Sequence, residues 1–149
     1  MNKITIGIDP DSKAHGVAIY IDKVLTVLNC MTLMELHGFL TVDKDFAIED
    51  VVVHIEHVDG NKSVWHGRQQ SKAAFGQTSQ RVAKCKQAQL ELERMFKWLG
   101  VEVVRHKISK AWKKGETQTN QFKKVTGWKG RSNEDTRSAA YFGYLGLKR

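Results

Sequence analysis

The stretch that decides the fold is ITIGIDPDSKAHGVAIY, residues 4–20. A β-branched strand that ends at Asp9 is followed by a turn-rich segment at 10–13 and a returning strand at 16–21, so the pattern predicts an antiparallel hairpin. An aspartate at the end of an apolar strand is unusual, because desolvating a carboxylate costs roughly several kcal/mol unless a cation or a donor compensates for it. We therefore interpret Asp9 as a functional residue.

Two further acidic sites follow along the chain. The strand VVVHIE, residues 51–56, ends in Glu56, and Glu134-Asp135 opens the last helical segment. If the strands of Asp9 and Glu56 are neighbours, both carboxylates meet at one end of the sheet, where Asp135 would complete a three-acid site. Mg²⁺ prefers oxygen ligands, and two such ions about 3.5–4 Å apart can activate a water and stabilise the departing oxygen of a phosphodiester. The pattern predicts metal-dependent hydrolysis.

Each acid also has a simpler structural interpretation. Asp9 precedes Pro-Asp-Ser, which is typical of a turn, and Asn133-Glu134-Asp135 is typical of a helix N-terminus. For Asp135 the cap and the ligand are equally supported. Glu56 has the weakest structural alternative, because a glutamate that closes an apolar strand has little structural reason to be there.

Composition indicates a globular protein with one domain over residues 1–149. Hydrophobic residues make up 41% and charged residues 27% of the chain. No apolar run approaches the roughly 20 residues of a membrane span, and no signal-peptide pattern is present. We expect the cytoplasm, or the host cytoplasm for a phage protein, with no membrane partner and no organic cofactor.

Charge is divided unevenly along the chain. Residues 1–60 hold four Lys/Arg and ten Asp/Glu, whereas residues 61–132 hold seventeen and four, interleaved with tryptophans. Such a basic middle segment is typical of a nucleic-acid-binding surface, although a solvated basic face with core tryptophans is the alternative. The candidate nucleic-acid contacts are Trp65, Arg68, Lys72, Arg81, Lys84, Lys107, Lys110, Lys113 and Lys114.

Periodicity predicts a strand meander, a helix, a fourth strand at 51–58, a long helix at 70–99 and a fifth strand at 101–105. The polar tract at 107–131 is predicted to be irregular around a short helix. Asn133 is predicted to cap a final helix that runs through residue 145.

Five segments together resemble a known family. They are IGIDPDSKAHGVAIY (6–20), VVVHIEHV (51–58), WHGRQQSKAAFGQTSQRVAKCKQAQ (65–89), VEVVRHKISKAWKK (101–114) and NEDTRSAAYFGY (133–144). In order and spacing the chain resembles, over nearly its whole length, the RuvC-type Holliday junction resolvases of the RNase H-like superfamily, in a compact form like those of phages.

The resemblance implies an α/β fold with an RNase H-like mixed five-stranded sheet flanked by helices. It also implies a homodimeric endonuclease that nicks four-way DNA junctions symmetrically, leaves a 5′-phosphate and a 3′-hydroxyl, and uses two Mg²⁺ ions per site, with Mn²⁺ as a substitute. Asp9 and Glu56 match the family's catalytic and metal-binding acids, and Asp135 matches the first acid of its last helix. The second acid of that helix falls on Ser138, which is not a carboxylate, so the fourth ligand is Glu134, Ser138 or a water.

Three other functions stay open. Related nucleases of the superfamily act on RNA/DNA hybrids, flaps or structured RNA, and the match after Glu56 argues against the hybrid and structured-RNA enzymes. The substitution at Ser138 leaves room for a non-catalytic protein that binds branched nucleic acid. A basic scaffold for acidic proteins would show no preference for branched DNA over duplex.

Overall fold

Five strands form one mixed sheet in a computed structural model that describes residues 3–42, 46–58 and 72–148. The strands are β1 (Ile4–Asp9), β2 (His15–Ile21), β3 (Val24–Met31), β4 (Val51–Glu56) and β5 (Glu102–His106). Their order in the sheet is β3-β2-β1-β4-β5, with β1 antiparallel to β2 and parallel to β4. The predicted fold class is confirmed.

Four α-helices flank this sheet in the described part of the chain. They are α1 (Leu33–Val42), α2 (Lys72–Leu99), α3 (Glu116–Thr126) and α4 (Glu134–Leu147). Of the described helices, none combines the length and the apolar character needed to cross a membrane.

Most predicted boundaries agree with the structure to within about two residues, which is the usual uncertainty of helix and strand ends. The fourth strand was predicted to reach residue 58 but ends at Glu56. The polar tract at 107–131 contains α3, an eleven-residue helix that begins after Gly115 and ends at the left-handed Gly127. Only Phe122 is buried in α3, and a single buried residue is a weak periodic signal.

One face of the sheet carries a large aliphatic core. The isoleucines of β1 at positions 4, 6 and 8 are fully buried there, together with Leu36 of α1 and with Leu92 and Phe96 of α2. Alternation along β1 sends Thr5, Gly7 and Asp9 to the opposite face.

On that opposite face, α4 lies unusually close to the strands. A Cβ on Gly7 would collide with the backbone of Ala139 and Gly143, so only glycine permits this approach. The Tyr20 hydroxyl of β2 donates a hydrogen bond of 2.6 Å to the Ala140 carbonyl of α4. The close packing fixes the position of α4 relative to the strand that ends at Asp9.

Candidate active site

Asp9 and Glu56 lie at the carboxyl ends of two neighbouring parallel strands. Ile8 of β1 is paired with Ile55 of β4, so the next residues along the two strands are the two acids. Asp9 is 4% and Glu56 7% exposed, and both side chains line the same cleft. The structure therefore brings together the first two predicted site residues.

Two carboxyl groups close together inside a protein cannot both ionise freely. Burial raises the pKa of Glu56 well above its ordinary value, and the nearby Asp9 carboxylate raises it further, while Lys113 acts in the opposite direction. Such a pair favours any cation that can approach it.

Asp135 reaches the same place from α4. Asn133 caps this helix, since its side-chain oxygen accepts the Thr136 N–H at 2.9 Å and the Thr136 hydroxyl accepts the Asn133 N–H at 2.9 Å. Gly16, which is paired with Asp9 across β1 and β2, would carry a Cβ that collides with the Asp135 carbonyl. The first turn of α4 therefore comes close to Asp9 because residue 16 is a glycine.

The charge environment of Asp135 agrees with that placement. Burial raises the pKa of Asp135, the Asp9 carboxylate adds to the rise, and the Lys113 ammonium opposes it. Asp135 also lines the same cleft as Asp9 and Glu56. In the sequence, a helix cap and a site residue were alternative interpretations of Asp135. The structure shows both features, because Asn133 forms the cap while Asp135 lines the cleft of the other two acids.

Lys113 lies among these acids. Its Nζ is 3.3 Å from Asp9 Oδ2, and its side chain is 30% exposed. Burial lowers the pKa of Lys113, but the Asp9 and Glu56 carboxylates outweigh that effect and raise it overall. We predicted Lys113 as one phosphate contact among several, and the structure places it in the acidic cleft.

The cleft has a volume of about 350 Å³. Beyond the three acids and the lysine it is lined by Pro10, Asp11, Val58, Arg81, Val82, Cys85 and Ile108. The oxygen donors of the three acids fit a hard divalent cation. Nevertheless, within residues 3–42, 46–58 and 72–148, no set of three carboxylate, imidazole or thiol groups is arranged closely enough to hold a metal ion as it stands. The donor chemistry suits Mg²⁺ or Mn²⁺, while the ammonium of Lys113 contacts the pair in this arrangement.

The two candidates for the fourth ligand lie elsewhere on α4. Glu134 is exposed, and neither it nor Ser138 lines the cleft. The Ser138 hydroxyl is buried and has no hydrogen-bond partner among the described residues. Neither side chain joins the three acids in this arrangement.

Apart from Lys113, the predicted nucleic-acid contacts are either exposed or lie outside the described residues. Lys84, Lys107, Lys110 and Lys114 are exposed, and Arg81 is exposed at the rim of the cleft. Trp65 and Arg68 lie outside the described residues, as does the side chain of Lys72. For the exposed residues, contact with nucleic acid stays a prediction.

The tryptophans of the basic segment have different environments. Trp112 is 2% exposed and packs edge-on against Phe122 and Tyr141, so it belongs to the core. Trp98 on α2 is 86% exposed. Trp128 is half-buried, and its indole N–H donates to the Arg131 carbonyl at 3.0 Å. The alternative of core tryptophans therefore holds for Trp112.

Sequence reasoning missed Arg137. Its guanidinium binds the carbonyls of Trp112 and Lys113 at 3.0 and 2.7 Å, which connects α4 to the segment before α3. No local pattern in the sequence could have revealed these contacts, because Arg137 is 25 positions from Trp112 and 24 from Lys113.

Comparisons with known proteins give a match in structure alone. No family model matches the chain, and no curated protein matches it. Among solved structures, the chain is similar to one described as T. thermophilus RuvC in complex with Holliday junction substrate. The TM-score is 0.53 at 14% sequence identity, over 97% of this chain and 96% of that chain. This similarity shows that the two proteins share a fold over nearly their full lengths.

Proposed function

We propose that this protein is a metal-dependent, structure-specific endonuclease that resolves four-way DNA junctions. The observation that carries the proposal is the buried pair of Asp9 and Glu56 at the ends of adjacent parallel strands, with Asp135 in the same cleft. The fold shared with a RuvC that was solved with a Holliday junction supports the choice of substrate.

Asp9, Glu56 and Asp135 are the residues that would hold Mg²⁺ or, as a substitute, Mn²⁺. When bound there, two such ions supply an activated water and stabilise the departing oxygen of a phosphodiester. The chain's own part is to present buried carboxylate oxygens at the ends of rigid strands, where their positions vary little. Arg81, at the rim of the same cleft, would contact a phosphate of the bound strand.

A junction needs two symmetric nicks, and the cleft lined by Asp9, Glu56 and Asp135 would make one of them, so the proposal includes a C2 homodimer. The long helix α2 is a candidate for the interface of this dimer. Phe96 is fully buried in the subunit's own core, and Met95 and Leu99 pack against that core. Among the described side chains of this helix, the exposed large hydrophobic ones are Trp98 at 86% and Leu90 at 41%, so these two are candidates for contact with a partner.

The decisive experiment is cleavage of labelled four-way junction, duplex, flap and RNA/DNA hybrid by wild type and D9N, each with Mg²⁺ or EDTA. We expect symmetric nicks in the junction that require Mg²⁺ and disappear in D9N, while D9N still binds the junction. Preferential cutting of the hybrid or the flap would assign the protein to another nuclease class.

A second function is favoured by a specific observation. The Lys113 ammonium contacts Asp9, and the described residues form no complete ligand set. Both would be expected of a protein that binds branched nucleic acid without cutting it. Tight junction binding without cleavage in either Mg²⁺ or Mn²⁺ would establish this second function and exclude the nuclease.

A further inference from the structure

Arg137 uses its guanidinium to hold a piece of backbone. Nε donates to the Trp112 carbonyl at 3.0 Å, Nη2 donates to the Lys113 carbonyl at 2.7 Å, and Nη1 donates to the Ser132 hydroxyl at 3.1 Å. All three acceptors are neutral. The planar fork of an arginine presents its donors to two adjacent carbonyls in a fixed geometry, which the compact ammonium of a lysine does not reproduce.

The backbone that Arg137 holds has an unusual conformation. Trp112 has a φ of +61°, in the left-handed region that costs a non-glycine residue roughly 1–3 kcal/mol. Its N–H donates to Gln118 Oε1 at 2.7 Å, and its ring is buried against Phe122 and Tyr141. Contacts from two helices thus maintain a turn that would otherwise relax.

The next residue is Lys113, and the direction of its side chain depends on the backbone conformation of Trp112. Its ammonium lies 3.3 Å from Asp9, in the cleft that Glu56 and Asp135 also line. A buried carboxylate pair without a cation is costly, so a half-buried ammonium at this position stabilises the folded chain when no metal is bound.

We propose that Arg137 is a positioning residue that holds the Lys113 ammonium on Asp9 as an internal counter-ion, which a divalent cation must displace to bind the acids. The metal half of this inference rests on the proposed function. Displacement has a cost, so the native site binds its first ion more weakly than the three acids alone would.

The test is the affinity of the full-length protein for Mn²⁺ without DNA, measured by calorimetry for wild type, K113M, R137K and R137K/K113M. We expect K113M to bind Mn²⁺ about tenfold more tightly, which corresponds to ~1.4 kcal/mol. R137K keeps the positive charge but releases the turn, so we expect roughly threefold tighter binding. The double variant should bind no more tightly than K113M, because Arg137 acts through Lys113.

The direction of the change distinguishes positioning from general damage. A variant that merely loosened the fold would bind Mn²⁺ more weakly, whereas release of a competing cation makes binding tighter. K124M is the control, since it removes the same charge from an exposed lysine of α3, and its affinity should stay within about twofold of wild type.

Three results would overturn the inference. They are unchanged or weaker Mn²⁺ binding in K113M, an R137K effect that persists in the K113M background, and absence of Mn²⁺ binding in all variants. Failure of the proposed nuclease is a separate result, because the expected Mn²⁺ affinities without cleavage of any DNA would support the counter-ion and contradict only the enzyme.

Discussion

On one face of the sheet, α1 and α2 pack large side chains such as Leu36 and Phe96 against β1, whereas on the other face α4 approaches Gly7 until no Cβ could fit between them. The first face is a core of interdigitating aliphatic groups. The second combines a close contact of backbone with backbone and an aromatic cluster that includes Tyr20, Trp112 and Phe122. The three acids of the cleft belong to this second face.

The difference explains why the acids are where they are. A core of large side chains can shift by a few tenths of an ångström and stay packed, so it contributes mainly stability. A helix packed directly on glycines has little freedom, so the position of Asp135 relative to Asp9 is set by the fold. We therefore expect changes on the first face to alter stability and changes on the second to alter the site as well.

The largest effect should come from truncating a large side chain in the core of the first face. Phe96 is fully buried, and F96A should lower the free energy of unfolding by about 3–5 kcal/mol because it leaves a cavity. Urea denaturation measures this loss, and the Mn²⁺ affinity of the molecules that remain folded should not change. K97A, one residue along the same helix at an exposed position, should change stability by less than about 0.5 kcal/mol. Similar losses in both variants would contradict the assignment of the core.

The first face is also the part of the molecule that the sequence predicts best. The alternating isoleucines of β1 and the helical spacing along α2 are local signals, and both elements form close to their predicted bounds. The predicted three-acid site depended on the condition that the strands of Asp9 and Glu56 are neighbours, and the parallel pairing of β1 with β4 meets that condition.

The second face shows where sequence reasoning stops. Gly16 and Asp135 are in contact although they are distant in sequence, and the left-handed backbone of Trp112 depends on contacts with α3 and α4. Lys113 was therefore grouped with the exposed basic residues, because nothing in its neighbourhood in the sequence shows that it turns towards Asp9. Such long-range contacts are a property of the packed chain and have no local pattern.

The second-largest effect should come from disturbing the close contact between α4 and the strands of the second face. G16A places a Cβ against the Asp135 carbonyl, so we expect a loss of about 1–3 kcal/mol in stability together with a change in Mn²⁺ affinity. G38A is the control, since Gly38 lies within α1 with no atom near the added methyl group, and alanine there should stabilise the protein by roughly 0.5–1 kcal/mol. Chemical denaturation and calorimetry measure both quantities. A stabilising G16A would show that α4 does not approach β2 as described.

The two faces can also be compared through their helix caps. Thr32 caps α1, since its hydroxyl accepts the Glu35 N–H at 3.2 Å, and Asn133 caps α4 in the same manner. We expect T32A and N133A each to cost about 1 kcal/mol. Only N133A should also weaken Mn²⁺ binding, because the first turn of α4 carries Asp135. Equal effects on Mn²⁺ binding would mean that the faces do not differ in this respect.

The smallest effect on stability should come from breaking an exposed ion pair. One ion pair on each face allows the comparison. Arg105 of β5 donates two hydrogen bonds to Glu93 of α2, at 2.7 and 2.8 Å, in a pair whose side chains are 52% and 16% exposed. The bonds from Arg105 hold the pKa of Glu93 below its ordinary value, although burial opposes this. A lowered pKa stabilises the fold at neutral pH, and the contribution disappears as the pH falls through that lowered value.

E93Q should therefore cost about 0.5 kcal/mol at neutral pH, as expected for an exposed pair. The difference from wild type should shrink with added salt and vanish in acid, because protonated Glu93 and glutamine both lack the charge. Urea denaturation at two pH values and two salt concentrations measures this. K113M at the more buried pair should respond less to salt, since its side chains are only 30% and 6% exposed. Equal salt dependence of the two variants would mean that the Lys113 ammonium is solvated and does not act as an internal counter-ion.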